Sequence, residues 1–162
     1  MTEAHIQVRT LKELSYYPAH PDRTESTEFK EIKKEFKAEH ATCWIGNGYC
    51  HGPIETHHGI IEYAEMNGID WEKVKKDHPN VDHVDDKDQM VELCERHHRG
   101  KYTGIHNMSY PIWEMQKYMN DETLVKFEAA VANQLKLDEA AKKGPRITAS
   151  TISAKDIEEG EV

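Results

Sequence analysis

The chain has little cysteine, little aromatic surface and no long apolar run. Its 162 residues include 3 cysteines, 3 phenylalanines and 3 tryptophans. No stretch approaches the roughly 20 apolar residues that a membrane-spanning helix requires, so no membrane partner is expected. The first residues, MTEAHIQVRTLKEL, lack the apolar block of a signal peptide. A cytoplasmic location is therefore the expectation. In that reducing setting 3 cysteines read as metal ligands or free thiols rather than as a disulfide framework. Excess positive charge is missing too. The net charge of −9, with histidines neutral, argues against a protein coated in basic surface for nucleic acid. The length suits one compact domain and is short for two, and no internal repeat is present.

Histidine, by contrast, is abundant. Of 11 histidines, His51, His57, His58, His97, His98 and His106 fall in two short segments, CWIGNGYCHGPIETHH from Cys43 and LCERHHRGKYTGIH from Leu93. The second segment also holds a local positive island, Arg96 to Lys101. A basic patch on an acidic protein can still meet a phosphate, at a cost in long-range steering.

Around these segments the pattern divides the chain in three. Residues 1–25, with Pro18 and Pro21 and no clear period, read as an extended arm. Residues 26–143 form the domain. Phe29, Ile32 and Phe36 recur at helical spacing, with Ser26 or Thr27 as the cap. Ile60 to Asn67 reads as a short helix ended by Gly68, and Asp70 caps WEKVKKDH. Ile112, Met115, Tyr118 and Met119 form one expected helical face. Asp121 caps a longer helix to about Lys143 with Leu124, Phe127, Val131 and Leu135 inward. Residues 144–162 read as a disordered acidic tail. Trp44, Trp71 and Trp113 are expected to pack in the core or a lid rather than to stack on bases.

Cys43, Cys50, Cys94 and His97 have the composition of a closed structural zinc site. A Cys-x-x-His turn can place sulfur and nitrogen about 3.5 Å apart, an edge of a tetrahedron with bonds of ~2.0–2.3 Å. Six residues separate Cys43 from Cys50, more than in the common Cys-x-x-Cys knuckle, and Gly46, Asn47 and Gly48 permit the wider loop. That leaves Glu55, His57, His58, His98 and His106. His57 and His58 are neighbours, so on an extended chain they point to opposite sides. One can hold a metal while the other faces a substrate. Metal-assisted hydrolysis of a phosphodiester needs that division: an ion at the leaving oxygen and a neutral imidazole to deprotonate water.

Glu55-Thr56-His57-His58, the downstream Leu93-Cys94-x-x-His97-His98 and the further His106 resemble the HNH nucleases, in particular the phage and prophage branch with a Cys/His zinc knuckle. The resemblance runs from Cys43 to Tyr118. It implies an α+β fold with a small zinc-stabilised ββα-metal core and flanking helices. It implies a metal-dependent endonuclease that hydrolyses phosphodiester bonds in DNA. By position, His57, His98 and His106 would bind the catalytic metal, His58 would be the general base, and Glu55 would orient the histidine pair. His106 lies eight positions beyond His98, where many members have four, so Arg99 to Ile105 must fold back. Gln89 stands where the family usually has an asparagine that pins the loop between the strands, with Asn80 and Asp88 as alternatives nearby. Arg96, Arg99 and Lys101 would hold the DNA backbone. The implied cofactors are a structural Zn²⁺ and a catalytic Mg²⁺, Mn²⁺, Ni²⁺ or Zn²⁺. The implied partner is DNA, with a phage packaging component or another protein as a second, and the implied location is the host cytoplasm. The alternative is a catalytically weak or inactive zinc module that binds nucleic acid or a protein partner.

Overall fold

The computed structural model describes residues 2–143. The expected acidic tail lies outside them. The protein is α+β: helices surround a two-stranded antiparallel sheet. Residues 2–25 form no helix or strand and are mostly exposed. The arm is tied down near its end, where Asn67 Nδ2 donates to Ala19 O at 2.7 Å and His20 meets the Tyr63 ring edge-on. Among the described residues no helix is long and apolar enough to cross a membrane.

Helix α1 spans Thr27–Ala38. Its cap is Ser26, whose Oγ accepts from Phe29 N at 2.9 Å. Phe29 and Ile32 bury against Met90, with Phe36 half-buried beside them, as their spacing predicts. Strand β1 (Ile54–His58) pairs with β2 (Met90–Cys94), and the register sets His57 opposite Val91 and His58 opposite Met90. Between the strands a short 3-10 helix, Tyr63–Gly68, begins later than the expected helix. Helix α2 (Trp71–Asp77) follows, with Asp70 Oδ1 accepting from Lys73 N.

After β2 the chain enters the short helix α3 (Glu95–Arg99), then α4 (Tyr110–Met115) and the long α5 (Asp121–Lys143). The core lies beneath this turn: Cys43, Ile45, Leu93, Cys94 and Trp113 are buried together. Trp113 is 1% exposed, its indole N–H donates to His97 O at 2.8 Å, and Trp44 stacks on it.

Three local expectations change here. On α4 the buried residue is Trp113, joined by the C-cap Gln116, whereas Ile112, Met115 and, beyond the helix, Tyr118 are exposed. The indole offers both a large apolar area and a donor that the His97 carbonyl satisfies, and that fixes which side of a two-turn helix turns inward. The cap of α5 is Asn120, whose Oδ1 accepts from Thr123 N at 2.9 Å, rather than Asp121. Leu124 and Val131 of α5 are buried as expected, but Leu135 is 38% exposed and Glu128 is buried between them. Glu128 turns in because Arg96 of α3 pairs with it. A buried carboxylate without that partner would be costly.

Candidate metal centres

Two separate ligand clusters are assembled by the turn around β1, β2 and α3. In the first, the His97 Nδ1 atom lies 3.5 Å from Cys43 Sγ, 3.6 Å from Cys50 Sγ and 3.2 Å from Cys94 Sγ. These are close to the edges of a tetrahedron with bonds of about 2.0–2.3 Å. Cys43, Cys94 and His97 are buried, Cys50 is exposed, and all three cysteines are free thiols. The donor set is three sulfurs and one imidazole, so these four residues can hold a metal ion. The thiols show the chemical reason. Burial pushes the Cys43 thiol up, but the His97 hydrogen bond and the backbone N–H groups of Cys94, Gly46 and Ile45 outweigh it and bring the group down to about 6. Burial, with the neighbouring Cys43 and Cys94 sulfurs, pushes Cys50 up to about 12. The pocket by itself favours a thiolate at Cys43 and opposes one at Cys50. A divalent cation held there would offset the repulsion between the sulfurs.

The second cluster is a triangle of imidazoles. Ring centroids lie 5.0 Å apart for His57 and His98, 4.8 Å for His57 and His106, and 4.9 Å for His98 and His106. His57 comes from β1, His98 from α3, and His106 from the loop beyond. The loop folds back as its length requires: Ile105 N donates to His97 O and Gly104 N to Gly100 O at 2.7 Å. Gly104 permits this turn, since a Cβ there would stand 2.5 Å from Gly100 N.

His98 Nδ1 donates to Glu55 Oε2 at 2.5 Å, and its Nε2 lies 3.0 Å from His106 Nε2. The carboxylate keeps the proton on Nδ1 and leaves the Nε2 lone pair facing the triangle, the usual backing of a metal-bound histidine. Glu55 thus orients His98, and it also pairs with Arg99 Nε at 3.0 Å. Burial, then the nearby His106 and His98, lowers His57 to about 3. Burial lowers His106 as well, against the opposing Glu62. Neutral imidazoles are the form a metal ion binds. His57, His98 and His106 line a cleft of about 1090 Å³.

His58 takes the other side of β1, as alternation dictates. It is 4% exposed, Phe29 stacks flat against it at 5.1 Å, and its Nε2 donates to Asp85 Oδ1 at 3.0 Å. Its Nδ1 has no hydrogen-bond partner among the described residues. His58 and Asp85 border a separate cavity of about 10 Å³, near the lower limit for holding a water.

Gln89 is 2% exposed and bridges two loop segments. Its Nε2 donates to Val84 O, and its Oε1 accepts from Ile61 N at 3.0 Å. The first bond anchors the chain before β2 and the second the chain after β1. The glutamine arm is long enough for both, so Gln89→Asn is expected to lose one of them. Gln89→Ala strands the buried Val84 carbonyl and the half-buried Ile61 N–H, which should cost about 1–3 kcal/mol in urea unfolding. A loss below ~0.5 kcal/mol would show that the tether is dispensable. Asn80 and Asp88 make no such bridge among the side-chain bonds of the described residues.

The expected phosphate contacts are all engaged within the chain: Arg96 with Glu128, Arg99 with Glu55, and Lys101 with Asp138. Sequence reasoning missed three residues near the histidines. Glu62 Oε1 lies 3.5 Å from His57 Nε2 and 3.9 Å from His106 Nδ1. Asp85 holds His58. Arg23, from the arm, lines both the cleft and the small cavity. No motif marks any of them, because each reaches the site only through loop packing.

No family model, curated protein or solved structure matches the chain.

Proposed function

We propose that the protein is a metal-dependent endonuclease of the HNH kind, hydrolysing phosphodiester bonds in DNA, with a zinc-stabilised ββα-metal core. The observation that carries this reading is the imidazole triangle His57–His98–His106, backed by Glu55 and opening on a cleft, beside an independent cysteine-rich cluster. Three histidine ligands leave coordination positions open, as a catalytic site requires, whereas a Cys3His set closes its ion. A divalent ion held there would polarise the scissile phosphate and stabilise the leaving oxygen. The protein residues supply the rest. Glu55 fixes the His98 tautomer, Gln89 braces the loop between the strands, and Asp85 leaves the His58 Nδ1 lone pair free to accept a proton. For His58 to serve as the general base, the Phe29 cover must open. Glu62, 41% exposed in the cleft, is the other group placed to take a proton from water.

The test is plasmid nicking with Mg²⁺, Mn²⁺, Ni²⁺ or Zn²⁺, with and without chelator. Wild type is expected to nick with at least one ion and to stop with chelator. His58→Ala should then lower the rate by about a hundredfold or more if His58 is the base, with zinc content unchanged. If Glu62→Gln has that effect and His58→Ala does not, the base is Glu62. The burial of His58 favours a second reading, a zinc module that binds nucleic acid or a protein without cutting. Absence of nicking with every ion would select it.

A further inference from the structure

Helix α1 carries three sets of side chains. The apolar stripe, Phe29, Ile32 and Phe36, seats it on Met90. Acidic residues of the helix and its cap are ion-paired to the loop before β2: Glu35 and the C-cap Glu39 pair with Lys87, and Glu28 with His83. The third set is lysine. Lys30, Lys33, Lys34 and Lys37 recur at i, i+3, i+4 and i+7, which is one helical face. All four line the cleft that also holds His57, His98 and His106.

A lysine face on a helix is usually only solvated. Two features here go beyond that. First, the charges are not locally compensated. Lys33 pairs with Glu25 at 2.6 Å, but Lys30, Lys34 and Lys37 make no ion pair among the described residues. Lys30 and Lys34 are like charges at i, i+4, as are Lys33 and Lys37, an arrangement that destabilises a helix. Second, the face is aimed. On a chain of net charge −9, Lys30, Lys34 and Lys37 line the same cleft as the imidazoles, together with Arg23 of the arm. Of the carboxylates in that lining, Glu25 is taken by Lys33, Glu55 by Arg99 and His98, and Glu62 by His57, while Glu92 makes no ion pair among the described residues. Across seven residues, Lys30 to Lys37 cover about 10 Å of helix axis. A DNA duplex carries one phosphate charge about every 1.7 Å of its axis, both strands counted, so a duplex laid along this face offers a phosphate for each of the three free lysines.

We propose that the lysine face of α1, with Arg23, is the backbone-gripping wall of the cleft for double-stranded DNA. This rests on the phosphodiester reading of the histidine triangle, and it names the surface that brings the polymer there. Phosphate contacts fix position and carry no sequence information, so the wall binds duplexes of any sequence.

The experiment is fluorescence anisotropy of the full chain with a labelled 20-bp duplex over a series of salt concentrations, without added divalent metal. For Lys30→Ala/Lys34→Ala/Lys37→Ala the slope of log affinity against log salt is expected to fall in magnitude by about 3, nearly one for each phosphate that is no longer neutralised. Affinity at 0.1 M salt should fall on the order of a hundredfold. Lys126→Ala on α5, remote from the cleft, should match wild type. If the triple variant does not fold, Lys34→Ala alone should lower the slope by about 0.9. The proposal is overturned if wild type binds no duplex, or if a folded lysine variant keeps the wild-type slope and affinity. The two readings fail separately. Slope loss in a protein that never nicks DNA supports this surface and removes the endonuclease. Nicking that survives with unchanged binding in the triple variant does the reverse.

Discussion

Cys94→Ser is expected to abolish the folded domain. Cys94 is 1% exposed at the end of β2, directly before α3, and packs in the core with Leu93 and Trp113. Its sulfur is the nearest of the three to His97 Nδ1, at 3.2 Å. If the cluster holds structural zinc, binding supplies on the order of 10–16 kcal/mol in comparable small sites, whereas a whole domain is stable by only about 5–15 kcal/mol. Removing a buried ligand therefore removes most of what keeps the turn closed. The variant should lose its cooperative thermal transition and its bound zinc, with wild type holding one zinc per chain by metal analysis. Cys50→Ser should be milder, because Cys50 is exposed and at the rim of the cluster. Well-folded wild type without zinc, or a Cys94→Ser variant melting within a few degrees of wild type, would sink the idea.

His98→Ala should have the largest effect on catalysis with little effect on zinc. His98 is the centre of the triangle: Glu55 holds its Nδ1 and His106 faces its Nε2. Without it the remaining two imidazoles make an incomplete set, and nicking should fall by about a hundredfold or more. Glu55→Gln keeps an acceptor for His98 Nδ1 but loses the negative charge behind the ligand, so metal affinity should fall about 10–100-fold. Isothermal titration with Ni²⁺ reads both effects directly. Burial holds His57 at about 3 and lowers His106, so protons compete for these ring nitrogens only below the ordinary imidazole range, and Ni²⁺ binding should persist through pH ~6.5 and weaken at lower pH. Normal Ni²⁺ affinity in His98→Ala would remove the triangle as the catalytic centre.

Much of this was legible from residue type and spacing, because the information was local or chemical. Phe29, Ile32 and Phe36 bury as their period predicts, and Asp70 caps α2. The two ligand sets could be sorted by donor softness before any contact was known. The side of α4 that turns inward could not be read this way, because it depends on one hydrogen bond from Trp113 to His97 O across the core. Nor could the partners of Arg96, since Glu128 lies 32 positions away on a helix whose own periodicity favoured an apolar stripe.

By itself, then, the sequence determined which side chains share a helix face, which neighbours alternate across a strand, and which donors suit zinc. These follow from fixed backbone geometry. Only the tertiary structure decided what each face meets. The Lys and Glu charges of residues 28–40 cancel along the sequence, yet they separate in space because Phe29 and Ile32 lock the helix onto Met90, about 60 residues away. That rotation turns the lysines toward the imidazole triangle and the glutamates toward Lys87 and His83. The same packing lays Phe29 over His58 and separates it from the neighbouring His57. A helix's period fixes the angle between its stripes, but only contacts distant in sequence fix the direction in which they point.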